Sequence, residues 1–160
     1  MKVVNIYTHT TAKSPKATKC EAAGYVIEFK TAKGDATAGD LLTVENMTKY
    51  QTELHVLKKA LARINTMCEV HLYTECEYIA AGFEKWLEEW KKDNWKTARG
   101  EEVKNSGDWQ ELDALVQQYG HEIVLHVKED HSYKKWFVDN LEKEKQKCLK
   151  NLGNSTQQKK

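Results

Sequence analysis

Residues 69–109 read EVHLYTECEYIAAGFEKWLEEWKKDNWKTARGEEVKNSGDW, and the order of elements within them decides the fold. Val70-His71-Leu72-Tyr73-Thr74 alternates as a strand does, and it ends on Glu75 and Glu77. Phe83, Trp86, Leu87 and Trp90 then fall at i, i+3, i+4 and i+7, which predicts a helix with one apolar stripe. A polar excursion, Lys91 to Gly107, carries Trp95, Lys96, Arg99 and Lys104. A second helix, expected near Trp109, has its own stripe of Trp109, Leu112, Leu115, Val116 and Tyr119. Trp86, Trp90, Trp95 and Trp109, all but one of the chain's five tryptophans, lie in this stretch. Indole interleaved with Lys and Arg on a polar excursion is a specific arrangement.

Upstream, residues 2–11 alternate as a strand, with Val4, Ile6 and Thr8 on one face and Asn5, Tyr7 and His9 on the other. A polar loop over residues 12–20 comes next. Strands are expected at 22–30 and 36–44, joined by Lys33-Gly34-Asp35 in an antiparallel hairpin. Thr48-Lys49-Tyr50-Gln51 has the form of a capping box and predicts a helix to about Ile64, with Leu54, Leu57, Leu61 and Ile64 inward. Downstream, residues 121–127 read as a largely buried strand. The last helix carries Tyr133, Trp136, Phe137 and Leu141 on one side, and a frayed polar tail is expected from Asn151.

The element order β-β-β-α-β-α-α-β-α predicts an α/β (α+β) fold, a mixed five-stranded sheet flanked by helices, in one domain over residues 1–150 with a tail at 151–160. With 160 residues, 40% hydrophobic and 31% charged, the chain has the composition of an ordinary globular domain. Its 25 basic and 24 acidic residues cancel, so any polyanion site must be local. No apolar run approaches the ~20 residues of a membrane span, and the first residues enter a strand rather than a signal peptide. Cys20, Cys68, Cys76 and Cys148 show no paired spacing, and free thiols in a reducing cytoplasm are expected rather than disulfides or zinc. A cytoplasmic monomer is the corresponding expectation.

In such a sheet, chemistry gathers where strands end and helices begin. The candidates there are His9, Glu53, Glu75, Asp139, and Asp130 or His131 in the loop before the last helix. Carboxylates collected from several elements suit a divalent cation, because hard ions take oxygen ligands. Three of them have a plainer reading: Glu53 serving a helix dipole, His9 as a strand-end surface residue, His131 as a solvated loop histidine.

From about Val3 to Glu142 the chain resembles the ribonuclease H family of type 1, which cuts the RNA strand of RNA/DNA hybrids with two magnesium ions. The likeness is most specific at Trp86, Trp90, Trp95-Lys96-Thr97, Val103-Lys104-Asn105 and Trp109-Gln110 with Leu112-Asp113. There it matches the family's basic protrusion, the handle, at about residues 91–107, with the helices beside it. Tyr78-Ile79, Glu53-Leu54 and Val127-Lys128 also fit. The resemblance implies nucleic-acid contacts from Trp90, Lys91, Lys92, Trp95, Lys96, Arg99 and Lys104. It implies metal ligands at His9, Glu53, Glu75 and Asp139, and a proton-transfer histidine at His131. The implied cofactor is Mg²⁺ or Mn²⁺, and the implied partner is an RNA/DNA hybrid or duplex.

The site departs from the family pattern. The first strand ends Thr8-His9-Thr10-Thr11 where the family has Thr-Asp-Gly-Ser, and the fourth ends Thr74-Glu75-Cys76 where it has Thr-Asp-Ser. Lys49-Tyr50-Gln51-Thr52-Glu53 lacks the family's two asparagines. Asp139 aligns only across a one-residue gap; without it the position is Asn140. A carboxylate beside a dication is worth about 8 kcal/mol of gross attraction at ~4 Å and an effective dielectric near 20, and a neutral imidazole supplies none of it. Glu75 reaches one methylene too far, on a scale that can cost ~10²-fold in rate. Residues 85–104 hold six basic and five acidic side chains, too balanced for a strong phosphate clamp. Two readings result: a hybrid-binding relative with weak, Mn²⁺-dependent or absent hydrolysis, and an active metal-dependent hybrid endoribonuclease.

Overall fold

The computed structural model describes the backbone of residues 1–158 and side chains through Gly153. Its sheet runs β3-β2-β1-β4-β5. The strands are β1 (Lys2–Thr10), β2 (Glu21–Thr31), β3 (Gly34–Val44), β4 (Cys68–Thr74) and β5 (Glu122–Val127). β1, β2 and β3 form an antiparallel meander, and β1–β4 and β4–β5 pair in parallel. A mixed five-stranded sheet is what the sequence led one to expect. β5 differs: it pairs only with β4 and is at best half-buried, because an edge strand has one open side.

One face of the sheet is covered by α1 (Lys49–Leu61) and α4 (Ser106–Tyr119). Val4, Ile6, Val70 and Leu72 from the central strands pack there with Leu54, Leu57, Leu61 and Leu112. The capping box at Thr48 is present: Gln51 N–H donates to Thr48 Oγ1 at 3.2 Å, and Thr48 N–H donates to Gln51 Oε1 at 3.0 Å. Lys58 bridges the two helices, with Nζ 2.7 Å from Asp108 Oδ1 and 2.8 Å from Glu111 Oε2. The opposite face takes α5 (Lys134–Gln158), whose Phe137 and Leu141 are buried with Tyr7, Ala22 and Val26. Tyr7 is therefore in a second core, where alternation alone would leave it on the outer face. Trp136, expected on the same side as Phe137, is 43% exposed. Tyr133 at the start of α5 donates to Glu28 Oε2 on β2 at 2.8 Å, which fixes the helix's approach.

Between β4 and the handle the expected single helix is broken into α2 (Glu77–Ala81), a π-helical turn over Gly82–Trp86, and α3 (Leu87–Lys92). Leu87 N–H reaches back five residues to Gly82 O. The break has a cause in the core. A Cβ on Gly82 would lie 2.1 Å from Trp109 Cη2, so the backbone itself packs on the fully buried indole. A π turn inserts one residue into the helical count and rotates the downstream side chains about the helix axis. Trp86 consequently leaves the apolar stripe and is 39% exposed.

Two expectations fail toward the C-terminus. α5 continues to Gln158, so the tail expected from Asn151 is helical to that point, and residues 159 and 160 lie outside the described residues. Cys20 and Cys148 are joined in a disulfide, leaving Cys68 and Cys76 as the free thiols. The pairing was hidden because the two cysteines are 128 residues apart and meet only when α5 lies across the start of β2. Lys145 Nζ, 2.9 Å from the buried Glu21 Oε1, ties the same two elements together.

Candidate functional site

The C-terminal end of β1, the N-terminal half of α1 and the end of β4 converge, and they carry His9, Glu53 and Glu75. Parallel pairing of β1 with β4 and antiparallel pairing with β2 place His9 opposite Gly24. Glu53 is 6% exposed, and its carboxylate accepts from Thr10 Oγ1 at 3.4 Å. Burial pushes its pKa from 4.5 up to about 7; the Lys49 charge and the Thr10 bond pull the other way, and the Glu75 charge adds to the rise. The imidazole of His9 is held below its ordinary value, chiefly by burial, against the attraction of Glu75. His131 is shifted down for the same first reason.

α5 brings an apolar and a cationic side chain to this group. The Phe137 ring stacks on His9 at 5.9 Å between centroids. Lys134 Nζ stands 3.7 Å from Glu75 Oε1. Asp139 lies five residues after Lys134 on α5 and is exposed; the helix turns Phe137 and Leu141 inward instead. Asn140, at the ungapped position, donates to Trp136 O at 2.8 Å. His131 is half-buried against Tyr7 and Tyr133, and its Nδ1 accepts from Tyr133 N–H at 3.2 Å, so it is not the solvated loop residue expected. Among the described residues, the grouping whose donor atoms lie mutually within 4.8 Å is Cys20, Glu45 and Cys148, and there the disulfide leaves no thiolate to offer. The donors at the strand edge thus amount to two carboxylates and an imidazole.

The handle folds around Trp95. Its N–H donates to Trp90 O at 2.7 Å, and its carbonyl accepts from Val103 N–H at 2.9 Å. Asn94, Trp95 and Asn105 adopt positive φ of 54°, 61° and 61° to make the turns. Trp95 and Trp90 are half-buried against the core, and Trp90 meets Trp109 edge-on at 5.5 Å. Trp95 is therefore partly a packing residue, and Trp86, expected in the apolar stripe, lies at the surface. Lys92, Lys96, Arg99 and Lys104 are exposed. Lys91 is engaged by Asp113 Oδ2 at 3.4 Å.

Sequence reasoning missed a second basic cluster. Lys13, Lys49 and Lys104 line a cavity of about 220 Å³ with Tyr50. Tyr50 is 41% exposed and stacks on Tyr78 at 4.0 Å, and Tyr78 leads on to Trp86 at 6.1 Å. Lysines from three separate segments give no run to detect, and of the three only Lys104, in the handle, was among the residues expected to touch nucleic acid.

These features define a small α/β domain with an acidic strand edge beside an aromatic, basic protrusion. The RNase H family profile matches residues 1–147, and the chain belongs to that family. It is 36% identical over 109 residues to a ribonuclease H of Acidovorax sp. (strain JS42), across 68% of this chain and 71% of that protein. A ribonuclease H of Rhizobium johnstonii is 34% identical over 109 residues, 68% of each chain. Among solved structures, LC9-RNase H1, described as a type 1 RNase H with the type 2 active-site motif, superposes with a TM-score of 0.70 at 18% identity, covering 88% of this chain and 70% of that one. The N-terminal RNase H domain of rv2228c from Mycobacterium tuberculosis gives 0.62 at 11% identity, over 98% of this chain and 99% of that one. At these identities the structural likeness speaks for the fold.

Proposed function

We propose that this chain is a nucleic-acid-interacting RNase H relative with a degenerate metal site, whose hydrolysis of RNA/DNA hybrids is weak, manganese-dependent or absent. The observation that carries this reading is what α5 brings to the pocket: Lys134 beside Glu75 and Phe137 on His9. In-line hydrolysis with two metals needs both the attacking and the leaving oxygen clamped by a cation. A lysine ammonium beside one of the remaining carboxylates opposes cation entry. Glu53, with a pKa of about 7, is only partly ionised at neutral pH and must shed its proton to become a ligand. A metal ion held by Glu53, Glu75 and His9 would supply Lewis-acid polarisation of the phosphate.

Nucleic-acid binding in this reading comes from Lys92, Lys96 and Arg99 on the handle and from Lys13, Lys49 and Lys104 beside Tyr50. These cations neutralise phosphates and release condensed counterions, while Tyr50 and Trp86 offer ring faces. The alternative, an active hybrid endoribonuclease, draws on Glu53, which keeps the family's glutamate, and on Glu75, which keeps a carboxylate close enough for its charge to act on Glu53. The test is an end-labelled RNA/DNA hybrid incubated with the purified protein in Mg²⁺ and then in Mn²⁺, with a gel-shift assay in parallel. The proposal expects a shifted hybrid that stays whole in Mg²⁺, with any Mn²⁺ cleavage lost in Glu53→Gln. Rapid cutting in Mg²⁺ alone establishes the alternative, and failure to shift the hybrid removes the nucleic-acid reading.

A further inference from the structure

The outer face of β4 and β5, away from the strand edge just described, carries two histidines aimed at each other. His71 Nδ1 lies 2.8 Å from His126 Nε2. Each ring's other nitrogen is taken by a carboxylate: His71 Nε2 is 3.0 Å from Glu69 Oε2, and His126 Nδ1 is 2.5 Å from Glu129 Oε2. The Tyr73 ring stacks on His126 at 4.3 Å and 7°, which fixes the plane of that imidazole. A carboxylate accepts, so the two outer nitrogens carry N–H groups, and the two facing nitrogens have lone pairs with room for one proton between them.

This is the pattern in which imidazoles hold a metal: an outer-sphere carboxylate sets the tautomer and raises the basicity of the coordinating nitrogen. We propose that His71 Nδ1 and His126 Nε2 bind one transition-metal dication of the zinc or copper class, with Glu69 and Glu129 as the outer sphere. Zn–N bonds of about 2.0–2.1 Å at a tetrahedral angle put the two nitrogens about 3.3 Å apart, so each ring need move only a few tenths of an ångström. The ion takes the place between the two nitrogens, and any proton there leaves to solvent. The side chains of His71 and His126 are 24% and 22% exposed, so the remaining coordination positions open to water. Magnesium, which demands oxygen ligands, has no place there. The site therefore differs from the strand-edge pocket in ion preference as well as in position.

The measurement is a calorimetric titration of the oxidised full chain with zinc alone, in a non-chelating buffer with excess Mg²⁺ and no nucleic acid. Cobalt serves as a spectroscopic stand-in. One zinc per chain is expected, insensitive to Mg²⁺. Glu129→Gln should weaken it by about 10- to 100-fold. His71→Asn with His126→Asn should abolish it, with unchanged circular dichroism and melting in the absence of metal. Equal zinc affinity in that double variant would move the ion to another site and overturn the proposal, as would no zinc uptake by the natural chain. Neither result bears on hybrid binding or cleavage, so the two readings fail separately.

Discussion

Glu53 has the most consequential environment of any single residue. Its folded pKa of about 7 stands above the 4.5 of a free glutamate, so between those values the native state holds a proton that the unfolded state has released. Stability consequently falls as pH rises from about 4.5 to about 7, and above pH 7 the full cost of the buried charge, about 3 kcal/mol, is present. Glu53→Gln should recover most of that at pH 8 and leave stability at pH 4 nearly unchanged. Urea unfolding at the two pH values in EDTA checks this, and parallel pH profiles for variant and natural chain would contradict it. The same pocket frames a gain-of-function experiment. His9→Asp with Glu75→Asp restores two carboxylates at the lengths the family uses, and Mg²⁺-dependent hybrid cleavage should rise at least about tenfold over the natural chain. No gain, even with Lys134→Ala added, would place the defect outside these positions.

At the scale of elements, the π turn between α2 and α3 governs which aromatic side chains face solvent. Gly82 lies against Trp109, and that contact fixes the helix at a distance no side chain allows. Gly82→Ala should cost about 1–3 kcal/mol through overpacking, read as a lowered urea midpoint. The shift forced on the turn should also change Trp86 fluorescence, since that ring lies at the surface. A midpoint equal to that of the natural chain would mean that the Trp109 ring yields more readily than its full burial indicates.

The whole molecule is closed by α5, which among the described residues is the helix that covers its side of the sheet, and that helix is anchored at both halves. Tyr133 is bonded to Glu28 at one end, and the Cys20–Cys148 disulfide and the Lys145–Glu21 pair hold it further along. The crosslink spans 128 residues, a loop long enough for the entropic effect on the unfolded chain to be large. Cys20→Ser with Cys148→Ser should lower stability by about 2–4 kcal/mol without changing the fold, as measured by denaturant unfolding under oxidising conditions. Two reactive thiols in the denatured, unreduced protein and four after reduction would verify the pairing.

The backbone plan was legible in the residues because period is local. Alternation at Val70–Thr74, the capping box at Thr48 and the apolar spacing of α1 and α4 each depend on near neighbours, and together they define the order of elements along the chain. The departures at His9 and Glu75 were equally visible, since identity at a strand end needs no coordinates. What only the tertiary structure decided are relations between distant segments. These are the rotation of Trp86 by a glycine seated on Trp109, the placing of Lys134 against Glu75, and the meeting of Cys20 with Cys148. The three-segment lysine cluster and the facing of His71 and His126 across β4 and β5 belong with them. Each arises from long-range packing, where a side chain's direction is set by what lies opposite it, and no local periodicity encodes that.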